Sequence, residues 1–285
     1  MQIALPLPAP DSRWAFFLDV DGTLADIAPV PAAVAIADHA RDTLSRLAAA
    51  CDGAVALVSG RPIADVDGLF APLHLPVAGL HGLERRDARG RVTRAGAAGA
   101  AGEDGDLLAE ARDALTRFAA AHPGALIEDK GLTLALHYRQ APAAEGEARA
   151  LMHGLRHGSG GALVLQHGKM VIELRPAGND KGTAVAAFMA EAPFAGRLPV
   201  FVGDDVTDEA GFATINALSG ISIRVGEGAP TCARYDGASV AEIHDWLAAA
   251  AAALEGSRAG PSGRQSGGDP ADRPGPKGGA RTEGS

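Results

Sequence analysis

Aromatic residues are scarce, with Phe, Trp and Tyr making up only 4% of the 285-residue chain. A core must therefore rest on Leu, Val, Ile and Ala, and a hydrophobic fraction of 47% is enough for a globular fold. Cysteine is nearly absent. Cys51 and Cys232 cannot make a dense disulfide framework, and both are expected as reduced, buried thiols in a reducing compartment. Positive charge is outweighed, and a formal net charge of −9 argues against nucleic acid as a partner. An anionic ligand would have to be met by a local positive site. No apolar run reaches the roughly 18 residues of a membrane helix. The nearest, Ala241 to Leu254, contains Glu242, His244 and Asp245, and the first ten residues carry no basic residue of a signal peptide. A cytoplasmic protein without membrane contact is expected.

What is present alternates. The run Trp14 to Val20 reads as a buried strand ending at an Asp-Gly turn, followed by a helix over Ala32 to Ala50. A second strand, Ala54 to Val58, leads into Ser59-Gly60-Arg61-Pro62 and another helix. That rhythm predicts a parallel sheet with helical crossovers, a Rossmann-like α/β core. Ala88 to Gly105 reads as a loop and Leu107 to Ala121 as a helix. The alternating pieces 125–128, 133–138, 162–166 and 170–175 read as an antiparallel sheet. Parallel rhythm resumes at Lys181, with a strand at Pro199 to Val202. Ser59 and Lys181 are 122 positions apart, far more than the roughly 30 residues of a βαβ unit. An inserted α+β domain is thus required. The expected division is a discontinuous core at 12–105 and 177–254 and an inserted cap at 106–176. A tail at 256–285 lacks Leu, Ile, Val, Phe, Trp and Tyr and is expected to be disordered. Trp14 and Trp246 read as packing residues, His81 and His137 as more often structural than ligating, and Arg85-Arg86 as a solvated turn.

Four motifs follow strands or open helices. In Asp19-Val20-Asp21-Gly22-Thr23-Leu24, two carboxylates two positions apart can project from one strand end, one to attack phosphorus and one to handle a proton. Ser59-Gly60-Arg61 offers a hydroxyl and backbone N–H groups to a phosphate oxygen, although Ser59 fits an ordinary helix cap equally well. Lys181, at a helix start, is disfavoured by the helix dipole unless it serves an anion; alone, it reads better as a surface lysine. Gly203-Asp204-Asp205-Val206-Thr207-Asp208-Glu209 gathers four acids that repel unless a cation neutralises them, or that form an acidic helix N-terminus. With no His or Cys among them, the fitting ion is Mg²⁺ rather than zinc.

Together, in this order, the motifs resemble those of haloacid-dehalogenase-superfamily (HAD) phosphatases. Within that superfamily the chain is similar to the trehalose-6-phosphate phosphatase family over about residues 12 to 250. The more discriminating segments are Ala78 to Gly82, Glu84 to Asp87, Leu136 to Arg139 and Ile172 to Pro176. The resemblance implies a phosphatase that hydrolyses trehalose 6-phosphate. Asp19 would be the nucleophile, and Asp21 the acid and then the base. Asp19, the Asp21 carbonyl and Asp204 would hold Mg²⁺, with Asp208 helping through water and Asp205 through hydrogen bonds. Ser59 and Lys181 would hold the phosphoryl group, with Gly60 and Arg61 beside them. Glu128, Lys130, Arg139, Lys169 and Glu173 of the cap would bind sugar hydroxyls. Functional pairing with trehalose-6-phosphate synthase is a further expectation. Sucrose-phosphate and mannosyl-phosphoglycerate phosphatases, a phosphosugar mutase and a non-catalytic sugar-phosphate-binding regulator are the alternatives. A regulator would have lost some of the nucleophile, lysine and acids, and all are present.

Overall fold

The structure, a computed structural model, describes residues 7–11, 13–28, 33–95, 103–168, 170–227, 230–237 and 239–258. The strand β1 (Trp14–Leu18) is buried on both faces, as its unbroken apolar run requires. It pairs in parallel with β2 (Val55–Val58) on one side and with β10 (Leu198–Gly203) on the other. The remaining core strands are β3 (Val77–Gly79), β4 (Glu84–Arg86), β5 (Val92–Arg94), β11 (Ile221–Val225) and β12 (Tyr235–Gly237). The eight-stranded order is β12-β11-β10-β1-β2-β3-β4-β5, parallel from β12 to β3 and antiparallel at the β4 and β5 edge.

Helices cover both faces, and parity along β1 shows which goes where. Trp14 and Phe16 meet Trp246 of α7 (Val240–Arg258), with ring centroids 6.3 and 6.1 Å apart. The intervening Phe17 meets Phe188 of α5 (Lys181–Met189) at 6.0 Å on the opposite face. Phe201, in register with Phe17, meets Phe212 of α6 (Glu209–Ala217), which joins α5 there. The helix α1 (Asp38–Ala50) packs beside α7, and α2 (Ile63–Phe70) against β3 and β4.

A second, wholly antiparallel sheet is formed by β6 (Leu126–Asp129), β7 (Leu134–His137), β8 (Leu163–Gly168) and β9 (Val171–Pro176), in the order β6-β7-β9-β8. Leu134, Leu136, Ile172, Leu174 and Leu163 point to one face, where α3 (Glu103–Ala121) and α4 (Glu145–Gly158) close a separate core with Leu115 and Met152. The alternate residues, among them Glu128, Glu173 and Gln166, point the other way.

Several elements differ from the sequence expectation. The first helix begins at Asp38, because Val34 and Ile36 are buried while 33, 35 and 37 are exposed, the period of extended chain. Residues 29–32 lie outside the described residues. The expected loop after residue 88 contains β5, because Asp87 accepts from the backbone N–H groups of Arg89 and Arg91 (2.9 Å each) and folds a hairpin onto β4. Arg85 and Arg86 lie within β4 and are largely buried rather than a solvated turn, Arg85 paired with Glu191 and Arg86 with Asp67. No helix was expected at 145–158, where Gly146 and Gly154 weaken the apolar period that Ala148 and Met152 keep. Cys51 is buried as expected, but Cys232 is exposed and bonded to Glu209. The helix α7 continues to Arg258, so 256–258 are helical, and 259–285 lie outside the described residues. Among the described residues no helix is long and apolar enough to cross a membrane.

The approach of α5 to α6 depends on Gly182, where a Cβ would lie 2.5 Å from Thr214 Oγ1 and closer still to the Ala210 carbonyl. Gly182→Ala is expected to cost about 1–3 kcal/mol by overpacking, read as a lower urea midpoint at unchanged slope.

Candidate active site

The catalytic-type side chains converge at the carboxyl ends of the central parallel strands, where open α/β sheets carry their ligands. The β1–β10 ladder extends one residue past β1, with Asp19 N–H donating to the Val202 carbonyl at 3.0 Å. Asp19 therefore leaves the sheet beside Gly203, directly ahead of the 204–208 acids. The chain then turns at Gly22, with φ +84°, and a Cβ there would overlap the Asp204 carboxylate. Only glycine lets the two strand-end loops close on each other.

Lys181 opens α5. Asp180 caps that helix, accepting from Thr183 N–H at 2.7 Å, while Thr183 Oγ1 accepts from Asp180 N–H at 2.9 Å. Capping fixes the first turn and sends the lysine inward, 3% exposed, between Asp19 Oδ1 (2.7 Å) and Asp208 Oδ1 (2.6 Å). The other Asp208 oxygen accepts from the N–H groups of Asp204 (3.1 Å) and Asp205 (3.0 Å). Asp208 is thus a bracket that ties the lysine to the loop after β10. Asp205 is exposed and caps the short turn 206–208 through Val206 N–H.

The charges do not balance. Burial alone would discharge Lys181, but Asp19 and Asp208 overcome it and hold the ammonium charged. Burial pushes Asp19 well above the usual carboxylate range, with Lys181 opposing and Asp208 and Asp204 adding to the rise. Asp204 is pushed up to about 6, by burial and then by Asp208. Asp204 Oδ1 is buried without a hydrogen-bond partner among the described residues, and Asp19, Asp204 and Asp208 offer oxygens within 4.8 Å of one another. One ammonium among three carboxylates, an orphaned acid oxygen and an all-oxygen donor set fit a hard cation such as Mg²⁺.

Ser59 is fully buried after β2, its Oγ accepting from Arg61 N–H at 3.1 Å and its hydroxyl proton left to donate. Arg61, expected beside a phosphate, instead grips Asp21 with Nε–Oδ2 and Nη2–Oδ1 both at 2.7 Å. The spacing of Ser59-Gly60-Arg61 points to an anion but not to which one, since Asp21 lies 40 positions away.

Of the five side chains expected to bind sugar, Glu128 and Glu173 lie on the face of the second sheet turned away from its core, and Lys130 follows β6. Glu128, Ala135, Glu173 and Gln166 form one cross-strand row. Glu173 Oε1 accepts from Thr133 Oγ1 (2.5 Å) and Lys130 Nζ (3.3 Å), and Glu128 pairs with His137 Nε2 at 2.9 Å. That hydrogen bond, against some burial, holds the Glu128 carboxyl below its usual range. Arg139 is exposed just past β7, and Lys169 lies outside the described residues. Gln166 escaped the sequence reading, and His81 was read there as more often structural than ligating. Gln166 reaches across to His81 of the core, side-chain nitrogen to Nε2 at 3.1 Å, and His81 is 94% buried against Gly60. Alternation along 162–166 placed Gln166 on a face but not beside Glu173, which requires the β8–β9 register.

The metal-free chain should feel the crowding at Asp204. Its folded carboxyl titrates near 6, above the ordinary 3.8, so its ionisation opposes folding above pH 6 and has no effect below about 4. Asp204→Asn is expected to raise the Tm of the metal-free protein at pH 7 but not at pH 4, and added Mg²⁺ is expected to raise the Tm of the unsubstituted chain but not of the variant. Calorimetry with and without EDTA reads both effects.

The trehalose-phosphatase family model matches residues 17–240. The chain is 43% identical over 251 residues to trehalose-6-phosphate phosphatase of Escherichia coli (strain K12), covering 88% of this chain and 91% of that protein. It is 46% identical over 245 residues to a probable trehalose-phosphate phosphatase of Sinorhizobium fredii (strain NBRC 101917 / NGR234), covering 85% and 89%. The crystal structure of a trehalose-6-phosphate phosphatase related protein superposes with a TM-score of 0.71 at 26% identity, over 85% of this chain and 99% of that one. A parallel α/β sheet with its acids at the strand ends, and this identity across nearly the whole fold, have one explanation: the chain belongs to the trehalose-phosphatase family of phosphoric monoester hydrolases, with the HAD fold.

Proposed function

We propose that this chain hydrolyses trehalose 6-phosphate to trehalose and phosphate through an aspartyl phosphate on Asp19. The observation that carries the reading is a carboxylate at the end of β1, held by a buried lysine, with a second carboxylate two residues on and an orphaned acid oxygen alongside. In the first step an Asp19 oxygen attacks phosphorus as the bond to the sugar oxygen breaks, and Asp21 gives that oxygen its proton. In the second, Asp21 takes a proton from water, whose oxygen attacks phosphorus as the bond to Asp19 breaks. The sum is one ester and one water converted to one sugar and one phosphate, with both acids restored. Ser59 and Lys181 hold phosphoryl oxygens, with the backbone N–H groups of Gly60 and Arg61 available beside them. Asp19, Asp204 and the Asp21 carbonyl would hold Mg²⁺, which would supply positive charge to offset the phosphoryl group's negative charge.

Glu128, Lys130, Arg139, Lys169 and Glu173 bind hydroxyls of the disaccharide in this reading. Carboxylates accept and cationic groups donate, and the Glu128–His137 and Lys130–Glu173 pairs hold those three side chains ready. The partner implied is the synthase that makes the sugar phosphate, linked through the metabolite, and the compartment is the cytoplasm.

Phosphate release from a panel of trehalose 6-phosphate, sucrose 6-phosphate, glucose 6-phosphate and mannosyl-3-phosphoglycerate tests the proposal. Trehalose 6-phosphate should be strongly preferred, EDTA should stop turnover, and Asp19→Asn should lower kcat by roughly 10³-fold or more. Preference for another sugar would move the substrate while keeping the aspartate chemistry. No release from any of them by folded protein would favour a binding role.

A further inference from the structure

We infer that His81 and Gln166 together read one hydroxyl of the leaving sugar beside the phosphoester. This rests on the proposed phosphatase reaction and adds a core–cap pair to the side chains already assigned. Gln166 lies on the uncovered face of the second sheet, in the row that contains Glu128 and Glu173. Its side chain bonds across to the core, 3.1 Å from His81 Nε2.

His81 is held in an unusual way. Leu80 and His81 both have left-handed backbone, φ 50° and 55°, a conformation that non-glycine residues adopt where the fold over-determines them. Two backbone bonds of 3.0 Å fix the turn to the phosphate loop, His81 N–H to the Ser59 carbonyl and Leu80 N–H to the Arg61 carbonyl. The ring lies over Gly60, where a Cβ would be 2.6 Å from Nε2. The imidazole is thereby placed one residue from the hydroxyl of Ser59. Nδ1 is buried with no hydrogen-bond partner among the described residues.

The chemistry of the pair selects what it binds. Burial first, then the charges of Lys181, Arg175 and Lys130, push His81 well below the usual imidazole range and keep it neutral. With the Gln166 amide donating, Nε2 accepts and Nδ1 carries the ring proton. A sugar hydroxyl that enters between them satisfies both, accepting from the amide and donating to Nε2. A phosphate or carboxylate oxygen cannot donate to Nε2 and does not fit. Glu128, Lys130 and Glu173 are ionisable side chains of the second sheet's side, whereas this pair is neutral and His81 packs directly on the Ser59–Arg61 loop. A site built to hydrogen-bond a hydroxyl rejects an analogue that lacks it far more strongly than an apolar pocket rejects a change of size.

The test is a cycle between side chain and hydroxyl. Gln166→Leu keeps the bulk and removes the amide. His81→Asn tolerates the left-handed backbone, which His81→Ala would strain. Each variant is assayed with trehalose 6-phosphate, with its monodeoxy analogues on the phosphorylated ring, and with p-nitrophenyl phosphate, whose leaving group has no sugar hydroxyl. Relative to p-nitrophenyl phosphate, each variant should lose at least tenfold in kcat/KM toward trehalose 6-phosphate. The unsubstituted enzyme should discriminate at least tenfold against one monodeoxy analogue, and that discrimination should vanish in both variants. Parallel losses with p-nitrophenyl phosphate, no loss at all, or discrimination that persists in the variants against every analogue would each overturn the inference. If the unsubstituted enzyme prefers another sugar phosphate, the substrate assignment fails and the same cycle on that sugar decides the His81–Gln166 pair. An unsubstituted enzyme inactive on every sugar phosphate would sink both.

Discussion

A lysine ammonium with 3% of its side chain exposed lies between two carboxylates, 2.7 Å from Asp19 and 2.6 Å from Asp208. Removing one partner of such a buried pair typically costs about 3–5 kcal/mol, because it leaves a charge uncompensated in a medium that solvates it poorly. The constraint is therefore strong, and it joins segments that are distant in the chain: the end of β1, the start of α5 and the loop after β10. The Asp180–Thr183 cap directs the lysine, Gly182 lets α5 sit against α6, and Gly22 lets the β1 loop meet Asp204. Each is a local device that serves the same ion cluster.

The cluster is also unfinished electrostatically. Three acids share one ammonium, so burial raises Asp19 and Asp204 and leaves an Asp204 oxygen with no partner. A protein that only needed stability would gain by losing one of these acids. Retaining them fits a site that takes a cation and an anionic substrate together. The second sheet reaches the core from its polar face, through Gln166 and His81, and has its own apolar core on the far side, so the two sheets rest on separate hydrophobic clusters. Arg61 and His81 stand between them, one gripping Asp21 and the other bonded to Gln166.

The sequence made the core legible where the chemistry is local. Asp19 and Asp21, the 203–209 acids and Lys181 are short motifs at strand or helix ends, and the spacing from Ser59 to Lys181 required an insertion. The alternating piece expected at 170–175 is β9, Val171–Pro176, one residue later at each end. What was hidden depends on long-range pairing. Arg61 and Asp21 are 40 residues apart and Gln166 and His81 are 85 apart, so no local pattern names either partner. Arg85 and Arg86 looked like a solvated turn because their acids, Glu191 and Asp67, arrive from other elements. The helix at 145–158 was obscured by its own glycines, and the one at 38 began late because Val34 and Ile36 pack as extended chain.

The central claim is that Asp19 carries the phosphoryl group between two in-line displacements. The stereochemical course at phosphorus tests it most directly, using the phosphorothioate analogue of trehalose 6-phosphate, made chiral by one oxygen-18 on phosphorus and turned over in water labelled with oxygen-17. Two displacements, each inverting, predict net retention of configuration in the thiophosphate released. Net inversion would mean that water attacks the ester directly, and would contradict the role given to Asp19.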